Sequence, residues 1–345
     1  MKRMSEKLAS GGVYCIAEMS ANHGGSLETA LEIVEAAAKS GADCLKVQTY
    51  TADTLTLDCD NEWFRVKGGL WDGRTLYDLY SEGSFPWEWH KPVMRCCEEL
   101  GMDFLSTPFD ETAVDFLCDL GIGAFKIASF ELVDTPLIEY AASKGKPLIV
   151  STGMGTEEEI AEAMAAARRG GCDDITLLRC CSEYPANFSD MNLASIPRMA
   201  EIFGCRVGFS DHSMGHTADV AAVTLGARVI EKHFCLSREM ETVDSAFSME
   251  PAEFAAMVEA VGDAASALGS PSFGPSGDEK DSTVFRRSIF ACKDIAKGEV
   301  FTKDNIRIVR PGYGAKPKHY NDVLGAVADR AYGFGDPIMY RGDDE

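Results

Sequence analysis

The chain has no apolar run long enough to cross a membrane. A spanning helix needs about 20 consecutive apolar residues, and every apolar stretch of the sequence is interrupted before it reaches that length. The amino-terminal segment MKRMSEKLASGG also lacks the apolar core of a secretory signal. These two absences argue against a membrane partner, and we expect a cytoplasmic protein.

Positive charge is also scarce. The 33 Lys and Arg residues stand against 55 Asp and Glu residues, which gives a formal net charge of -22. A field of this sign repels nucleic acid and anionic membrane surfaces, so we expect no nucleic-acid partner. An anionic ligand would need positive charge concentrated at its own binding site.

The twelve cysteines include no C-x-x-C pair. The ligand spacing of a structural zinc site is therefore missing. Several of these cysteines, among them Cys15, Cys44, Cys180 and Cys235, lie inside apolar runs. This placement predicts buried free thiols in a reducing compartment rather than a disulfide scaffold.

Eight short apolar runs alternate with helical patterns between residues 13 and 268. The runs are VYCIAE (13–18), DCLKVQ (43–48), DFLSTP (103–108), AFKIAS (124–129), PLIVST (147–152), DITLLRC (174–180), RVGFS (206–210) and RVIEKHF (228–234). Strands that are apolar almost throughout indicate a parallel sheet covered by helices, and eight strand–helix units predict a closed (β/α)8 TIM barrel. A doubly wound open sheet is the alternative, but no G-x-G-x-x-G follows the first run to support it.

Composition divides the chain into three parts. The barrel is predicted over residues 1–268, and the Gly-, Ser- and Pro-rich stretch GSPSFGPSGDEKDST predicts a linker over 269–285. Residues 286–345 are predicted to form a small module separate from the barrel. Its core is marginal by itself, so we expect the module to dock on another surface. Within the barrel, the segment 50–85 is too long for a simple loop, and an insertion of this length commonly builds or covers a site.

Most of the predicted strands end on polar residues. In a parallel barrel these ends share one face, where the active site lies. The stretch VGFSDHSMGH, for example, runs from a buried strand directly into Ser210, Asp211 and His212. The other polar residues at or just beyond strand ends are Glu18, Lys46, Gln48, Thr107, Lys126, Ser129, Glu131, Thr152, Ser182, Tyr184 and His233.

His212 and His233 end consecutive strands, which makes them neighbours in a barrel. A single strand histidine is more often a core or capping residue, but a neighbouring pair favours a metal site. Two imidazoles leave positions open for water, carboxylate or substrate, which suits a catalytic Mn²⁺, Mg²⁺ or Zn²⁺ ion.

Lys46 and Lys126 lie inside apolar strands, where an unpaired ammonium is costly. They either clamp a phosphate or carboxylate ligand, with the hydroxyls of Thr107, Ser129, Ser182 and Ser210 around it, or form a buried salt bridge with Glu18 or Glu131. Glu131 is interpreted as a general acid or base, or else as a solvated loop charge. Arg310, in the small module, carries no functional indication by its local sequence alone.

Ordered motifs along almost the whole chain resemble those of the sialic acid synthase family, the phosphoenolpyruvate-dependent nonulosonate synthases. The matching segments are IAEMSANHGGSLETA, KVQTY, STPFD, KIASFE, STGM, GFSDHS, EKHF and RRSIFACKDIAKGEVFTKDNIRIVRPGYG. The last of these resembles the antifreeze-like (SAF) domain of the family. The resemblance therefore implies a TIM barrel followed by a SAF domain.

The resemblance implies roles for individual residues. Phosphoenolpyruvate would be held by Lys46, Thr107, Lys126, Ser129 and Ser210, with Ser182 standing where the sialic acid branch typically has Asn. A divalent cation, Mn²⁺ or Mg²⁺, would bind His212 and His233. The sugar would contact Gln48, Tyr184, Asp244 and Arg310, and the catalytic candidates are Glu131, Glu18 and His212.

The resemblance also implies a reaction and an assembly. C3 of phosphoenolpyruvate would attack the aldehyde of an open-chain amino sugar, water would add at C2, and phosphate would leave by C–O cleavage. The implied assembly is a domain-swapped homodimer in which Arg310 reaches the other subunit's sugar.

Four segments, QTYTADTLTLD, GGLWDGRTLYDLY, FPWEWH and SEYPA, resemble the pseudaminic acid branch, whose substrate is a 2,4-diacetamido-2,4,6-trideoxy-L-altrose. The segment METVDSAFS, before and around Asp244, differs from the more common Gly-Pro-Asp form, so N-acetylneuraminate and legionaminic acid synthesis stay as alternatives. Two rival functions are a metal-dependent aldolase that uses free pyruvate and an ice- or glycan-binding protein. Release of inorganic phosphate separates the first rival from a synthase, and thermal hysteresis without turnover would favour the second.

Overall fold

The computed structural model describes residues 1–343, and it divides into two compact units. The first unit comprises Met1–Gly269, and the second begins at Ser270. Among the described residues, no helix combines the length and the apolar character needed to cross a membrane. All twelve cysteines are free thiols.

The first unit is a closed barrel of eight parallel strands in sequential order, with β8 paired to β1. The predicted (β/α)8 architecture is therefore confirmed. The strands are β1 (Tyr14–Glu18), β2 (Cys44–Thr49), β3 (Asp103–Pro108), β4 (Phe125–Ile127), β5 (Leu148–Ser151), β6 (Ile175–Cys180), β7 (Arg206–Asp211) and β8 (Val229–His233).

Helices connect and cover these strands. They are α1 (Lys2–Ala9), α2 (Leu27–Lys39), α3 (Ala52–Leu55), α4 (Leu76–Gly83), α5 (His90–Glu99), α6 (Glu111–Leu120), α7 (Thr135–Ser143), α8 (Glu157–Arg169), α9 (Ser195–Phe203), α10 (Thr217–Thr224) and α11 (Pro251–Leu268). Helices α3 and α4 lie in the long insertion that follows β2. A buried apolar layer lies between the strands and the surrounding helices.

The helix ends follow local signals in the sequence. Ser26 caps α2, because its Oγ accepts a hydrogen bond from the backbone N–H of Thr29 at 3.2 Å. Thr156 and Glu159 form a reciprocal capping box at the start of α8, with distances of 2.8 and 3.2 Å. Acidic residues fill the first turn of α8 and arginines its last turn, which complements the helix dipole.

The barrel interior is apolar at its amino-terminal end. Alternate strand residues contribute Tyr14, Ile16, Cys44, Leu105, Ala124, Ile149, Leu178 and Val229 to one buried cluster. Helix α1 adds the buried Met4 to this cluster, with Leu8 packed against it. Because side chains alternate along a strand, the next inward positions lie nearer the carboxyl end, and there they are mostly polar.

The second unit has its own small core. Strands β9 (Ser288–Ala291) and β10 (Ile306–Val309) are antiparallel, and a short helix, α12, spans Tyr320–Val323. The core of this unit includes Ile289, Phe301, Ile306, Tyr332 and Ile338.

The segment predicted as a linker contains regular structure. Residues Gly277–Phe285 form a 3₁₀ helix, which starts with a capping box between Ser276 and Glu279. Gly, Ser and Pro indicated an extended connection there, but the local capping pair organises its second half.

Candidate active site

Strand pairing brings the predicted polar residues together at the carboxyl end of the barrel. Glu18, the last residue of β1, pairs with Lys46 on one side and with His233 on the other. Gln48 pairs with Thr107, and Ser210 pairs with Glu231. These side chains therefore surround one mouth, as the strand-end pattern predicted.

A buried cluster of two lysines and two carboxylates forms the floor of the mouth. Lys46 Nζ lies 2.9 Å from Glu231 Oε1 and 3.3 Å from Glu18 Oε2. Lys126 Nζ lies 3.7 Å from the same Glu231 oxygen. The salt-bridge alternative is thus realised, but Glu131 is not the partner of Lys126; the pairing carboxylate is Glu231. The Oε2 atom of Glu231 is buried without a hydrogen-bond partner, so this carboxylate can still accept a hydrogen bond from a further donor.

Electrostatics within this cluster is asymmetric. Burial raises the pKa of Glu18, and although Lys46 opposes this effect, Glu231 adds to it. Burial lowers the pKa of Lys126, only partly offset by Glu231. For Glu231, burial acts to raise the pKa, yet Lys126 and Lys46 together lower it below the ordinary value. Lys126 therefore has the weakest charge stabilisation of the group, and a bound anion would supply what it lacks.

Glu231 was missed by the sequence reasoning. It lies in the run RVIEKHF, two positions before His233, and so on the same inward face of β8. The sequence could have indicated Glu231, because a residue two positions before an inward-facing strand end also faces the barrel interior.

Hydroxyl groups and one glycine form a second part of the mouth. Lys126 Nζ donates to Ser151 Oγ at 2.7 Å, and the N–H of Gly153 donates to Ser129 Oγ at 3.1 Å. A Cβ atom on Gly153 would lie 2.2 Å from Ser182 Oγ and 2.7 Å from Ser129 Oγ. The space next to Gly153 is therefore lined by two of the predicted ligand hydroxyls and is open only because residue 153 has no side chain.

Thr107 and Ser210 complete the hydroxyl set. Lys46 Nζ lies 3.4 Å from Thr107 Oγ1, and Ser210 Oγ lies 3.4 Å from Glu231 Oε1. Both hydroxyls are buried. Thr107 and Ser210, two of the hydroxyls predicted to bind the anion, thus lie against the same charged cluster as the two lysines.

The two predicted histidines are neighbours. The ring centroids of His212 and His233 are 5.3 Å apart. Nδ1 of His212 lies 2.9 Å from the carbonyl oxygen of Cys181, to which it can donate, and this tautomer leaves the Nε2 lone pair available. His233 Nδ1 is buried without a hydrogen-bond partner, and burial holds the pKa of His233 well below its ordinary value.

These histidines have the donor chemistry of an open metal site. Neutral imidazoles are the form that binds metal. Over residues 1–343, the structure contains no group of three or more His, Cys, Asp or Glu side chains arranged to hold an ion. A cation held here would have two imidazole ligands and would take its other ligands from water or substrate.

Glu131 lies in the 3₁₀ turn Phe130–Val133 that follows β4. Burial raises the pKa of its carboxyl to about 7. Its Oε2 atom is buried and has no hydrogen-bond partner. A carboxyl group in this state exchanges a proton near neutral pH, which suits a general acid or base.

The residues predicted to contact a sugar lie on the adjoining side. Gln48 Nε2 donates to Glu18 Oε1 and to Ser20 Oγ, both at 2.9 Å. Asp244 is buried and accepts from the N–H of Ala21 at 3.4 Å. The ring of Tyr184 lies 4.4 Å from that of His212.

Three polar strand-end positions need separate description. Asp211 forms a buried ion pair with Lys232 and accepts a hydrogen bond from the N–H of Ser213 at 2.8 Å, which makes it a structural residue of the β7 end. Thr152 donates to the carbonyl of Leu178 at 3.1 Å. Arg310 belongs to the second unit, where its side chain is exposed.

Two aromatic residues near the histidines were not predicted. Trp71, from the long insertion, lies 6.0 Å from Tyr184 and 6.4 Å from Phe247 between ring centroids. Phe247 in turn lies 5.0 Å from His233. The length of the insertion indicated a covering role, but no local pattern distinguished this tryptophan from others.

A parallel barrel whose polar groups gather at the carboxyl ends of its strands is the architecture of TIM-barrel enzymes. Within that class, the chain belongs to the NeuB family, whose model matches residues 33–272, and a SAF domain model matches residues 286–341. The resemblance inferred from the sequence motifs is thus confirmed.

Individual relatives narrow the comparison. The chain is 47% identical over 326 residues to the pseudaminic acid synthase of Campylobacter jejuni, covering 94% of this chain and 95% of that protein. It is 36% identical over 332 residues to the N,N'-diacetyllegionaminic acid synthase of Legionella pneumophila, covering 95% and 93%. The crystal structure of N-acetylneuraminic acid (sialic acid) synthetase from Leptospira borgpetersenii, in complex with citrate, has a TM-score of 0.71 at 29% identity, covering 79% of this chain and 90% of that one.

Proposed function

We propose that this protein condenses phosphoenolpyruvate with the open-chain form of 2,4-diacetamido-2,4,6-trideoxy-L-altrose to give pseudaminic acid and inorganic phosphate. It would act as a transferase that forms a C–C bond. The observation that carries the proposal is the junction of two chemistries in one mouth. Buried lysines and hydroxyls suited to an anion adjoin a pair of neighbouring histidines whose ring nitrogens suit a cation. The 47% identity to a pseudaminic acid synthase, against 36% to a legionaminic acid synthase, favours this sugar.

The anionic substrate occupies the floor of the mouth. Phosphoenolpyruvate carries a carboxylate and a phosphate, so two ammonium groups and several hydroxyls match its charge and its acceptors. Lys46 is shared by two carboxylates, whereas Lys126 has one carboxylate at 3.7 Å. Lys126 therefore gains most from the bound anion. Ser129 and Ser182 line the space next to Gly153, two residues beyond the Ser151 hydroxyl that Lys126 contacts.

The reaction joins the two substrates, consumes one water molecule and releases inorganic phosphate. C3 of phosphoenolpyruvate forms a bond to the aldehyde carbon of the sugar, and the aldehyde oxygen takes up a proton. The attack leaves C2 electron-deficient, water adds there and loses one proton to a base. The C2–O bond to phosphate then breaks as the new C2 hydroxyl gives up its remaining proton, which leaves a ketone at C2 and inorganic phosphate. Glu131 acts as the general acid or base in these steps, because its pKa of about 7 allows it to give or accept a proton at neutral pH. The fixed lysines and hydroxyls stabilise the phosphate charge throughout.

His212 and His233 would hold the divalent cation, Mn²⁺ or Mg²⁺. A bound cation supplies Lewis-acid polarisation of the aldehyde oxygen. The unpartnered Nδ1 of His233 and the free Nε2 of His212 support this assignment.

The metal assignment is tested by removing the cation and each imidazole. We expect chelation to abolish turnover and His212→Ala or His233→Ala to do the same with an unchanged circular dichroism spectrum, because both residues lie at strand ends. Direct cation binding, measured by calorimetry, should be lost in both variants. Full activity in either variant would contradict the assignment.

A second copy of the chain completes the site. The loops around the mouth expose a ring of apolar side chains: Phe130, Val133, Met154, Phe188, Met214 and Met240. Exposed apolar surface of this kind is typical of an interaction site. We assign it to the SAF unit of a partner chain in a domain-swapped homodimer, with Arg310 of that unit reaching the sugar.

The function is tested by incubating the protein with phosphoenolpyruvate and a panel of sugars, followed by mass spectrometry and a phosphate assay. We expect the trideoxy altrose sugar to be used in preference to N-acetylmannosamine and to the legionaminic acid precursor. Preference for either of the other sugars would reject the pseudaminic acid assignment but not the reaction. Turnover with free pyruvate and no phosphate release would reject the reaction itself.

A further inference from the structure

The insertion between α3 and α4 places one tryptophan against the mouth and leaves another in solvent. Trp71 is half-buried, and its Nε1–H donates to the carbonyl oxygen of Val243 at 3.2 Å. Trp63, in the same insertion, is 79% exposed. Two residues of the same type in one loop thus have different environments, and only Trp71 is held against the barrel.

Trp71 is the outer member of an aromatic wall made of Trp71, Tyr184 and Phe247. Tyr184 lies 4.4 Å from His212 and Phe247 lies 5.0 Å from His233, between ring centroids. Trp71 contacts both Tyr184 and Phe247, at 6.0 and 6.4 Å. The wall therefore begins at the histidine pair and extends away from it.

The same indole fastens the loop that follows β8. Its acceptor, Val243, immediately precedes Asp244, whose carboxylate accepts from the N–H of Ala21. In addition, Thr242 donates to Asn22 Oδ1 at 2.7 Å. Loops after β1, β2 and β8 are therefore joined beside the histidines, with Trp71 as the contribution of the β2 insertion.

We propose that Trp71 is a specificity-determining residue that packs its indole against the apolar groups at the far end of the sugar, the C6 methyl and the methyl of the C4 acetamido group. The inference rests on the proposed function, in which the aldehyde end of the sugar lies at the histidines. A sugar extended from that point runs along the aromatic wall. A methyl group at C6 gains from an aromatic surface, whereas a hydroxyl there loses its hydrogen bonds to water.

The test compares three variants in the full-length enzyme: Trp71→Ala, Trp71→Phe and Trp63→Ala. The substrates are the trideoxy altrose sugar and its analogue with a hydroxyl at C6. A single apolar group in a pocket is worth roughly 10- to 200-fold in discrimination. We expect Trp71→Ala to lower kcat/KM for the trideoxy sugar at least about 10-fold and to reduce the preference over the hydroxyl analogue. The KM for phosphoenolpyruvate should change by less than about 2-fold.

The other two variants distinguish a direct contact between Trp71 and the sugar from a general effect on the structure of the loop. Trp71→Phe retains an aromatic face but has no N–H for Val243, so it should keep most of the preference for the methyl sugar. Trp63→Ala should match the wild type. An unchanged preference in Trp71→Ala, or an equal loss in Trp63→Ala, would overturn the inference, as would a comparable rise in the KM for phosphoenolpyruvate. Failure of the wild-type enzyme to use the trideoxy sugar would instead overturn the proposed function, and this inference with it.

Discussion

At the scale of single residues, Glu231 is the carboxylate that faces both lysines on the floor of the mouth. One of its oxygens contacts Lys46 and lies 3.7 Å from Lys126. Its removal leaves two buried ammonium groups with Glu18 as the remaining carboxylate of the cluster. The largest favourable charge that offsets the burial of Lys126 is then lost.

We therefore predict that Glu231→Gln lowers the pKa of Lys126 further. The variant should bind phosphoenolpyruvate more weakly. Burial lowers the pKa of Lys126 to about 8 in the wild type, so the ratio of the variant's KM to that of the wild type should grow as the pH rises from about 6.5 to about 8.5, because the variant loses this proton first. Steady-state kinetics at several pH values measures this ratio. Glu239→Gln, at an exposed position, removes the same charge and should have no such effect. A ratio independent of pH would contradict the role given to Glu231.

Burial of the Glu131 carboxyl makes the folded protein less stable at neutral and alkaline pH than at acidic pH. Its pKa is about 7 in the folded protein, because of burial, against an ordinary value of 4.5. Between these two pH values the folded state holds a proton that the unfolded state has released. Stability from this group is therefore full below about pH 4.5 and falls as the pH rises through 7.

We accordingly predict that Glu131→Gln inactivates the enzyme and stabilises it at alkaline pH. Activity should fall roughly 10²- to 10⁴-fold. Relative to the wild type, the free energy of unfolding should rise by on the order of 2–3 kcal/mol between pH 5 and pH 8. Urea unfolding at both pH values provides the measurement. Equal pH dependence in the two proteins would mean that Glu131 is not buried as a neutral acid.

At the scale of elements, the strands were predictable and the contacts between them were less so. DFLSTP was predicted and observed at the same residues, because buried strands are apolar runs bounded by helix and turn signals. AFKIAS was predicted over 124–129, but β4 is shorter, Phe125–Ile127, since the chain turns into the 3₁₀ segment that carries Glu131.

The residues of the candidate site also fall into two groups, those that a local sequence pattern predicts and those that depend on contacts between distant segments. Lys46, Lys126 and the histidines were predicted because each is a polar residue in, or at the end of, an apolar run. The partnership of Glu231 with both lysines depends on the register of three strands, and the position of Trp71 depends on the path of a long loop. No local sequence pattern indicates either feature, so the sequence analysis missed both.

The loop after β5 provides a prediction at this scale. A side chain on Gly153 would collide with the hydroxyls of Ser129 and Ser182. Gly153→Ala should therefore displace both hydroxyls and raise the KM for phosphoenolpyruvate by about 10-fold or more, equivalent to one lost hydrogen bond to a charged group. Gly262, inside α11, has open space around its Cα. The control Gly262→Ala should leave the KM unchanged and stabilise the helix by about 0.5–1 kcal/mol. Equal KM values in the two variants would argue against an anion at Gly153.

At the scale of the whole molecule, the proposed domain-swapped dimer can be tested by mixing two inactive variants of the chain. An Arg310→Ala chain has an intact barrel, and a Lys126→Ala chain has an intact SAF unit. In a heterodimer, one site would combine the intact parts. With full subunit exchange we expect about one quarter of wild-type activity, because half of the dimers are mixed and each has one complete site.

The control replaces the Arg310→Ala chain by one that carries both substitutions, so that no site is complete. Activity should then stay at the level of the separate variants. If the first mixture also stays inactive after verified exchange, Arg310 does not act on the partner's barrel.

The closure of the barrel's amino-terminal end by α1 has a consequence for the order of events in turnover. Met4 and the inner apolar residues fill that end, so both substrates and both products use the same opening. The lysine floor lies at the bottom of this well, and the aromatic wall lies nearer its rim. With the two substrates placed as proposed, phosphoenolpyruvate enters before the sugar, which then blocks its exit. The enzyme should show compulsory-order kinetics, with the sugar adding second and phosphate retained until the nine-carbon product has left.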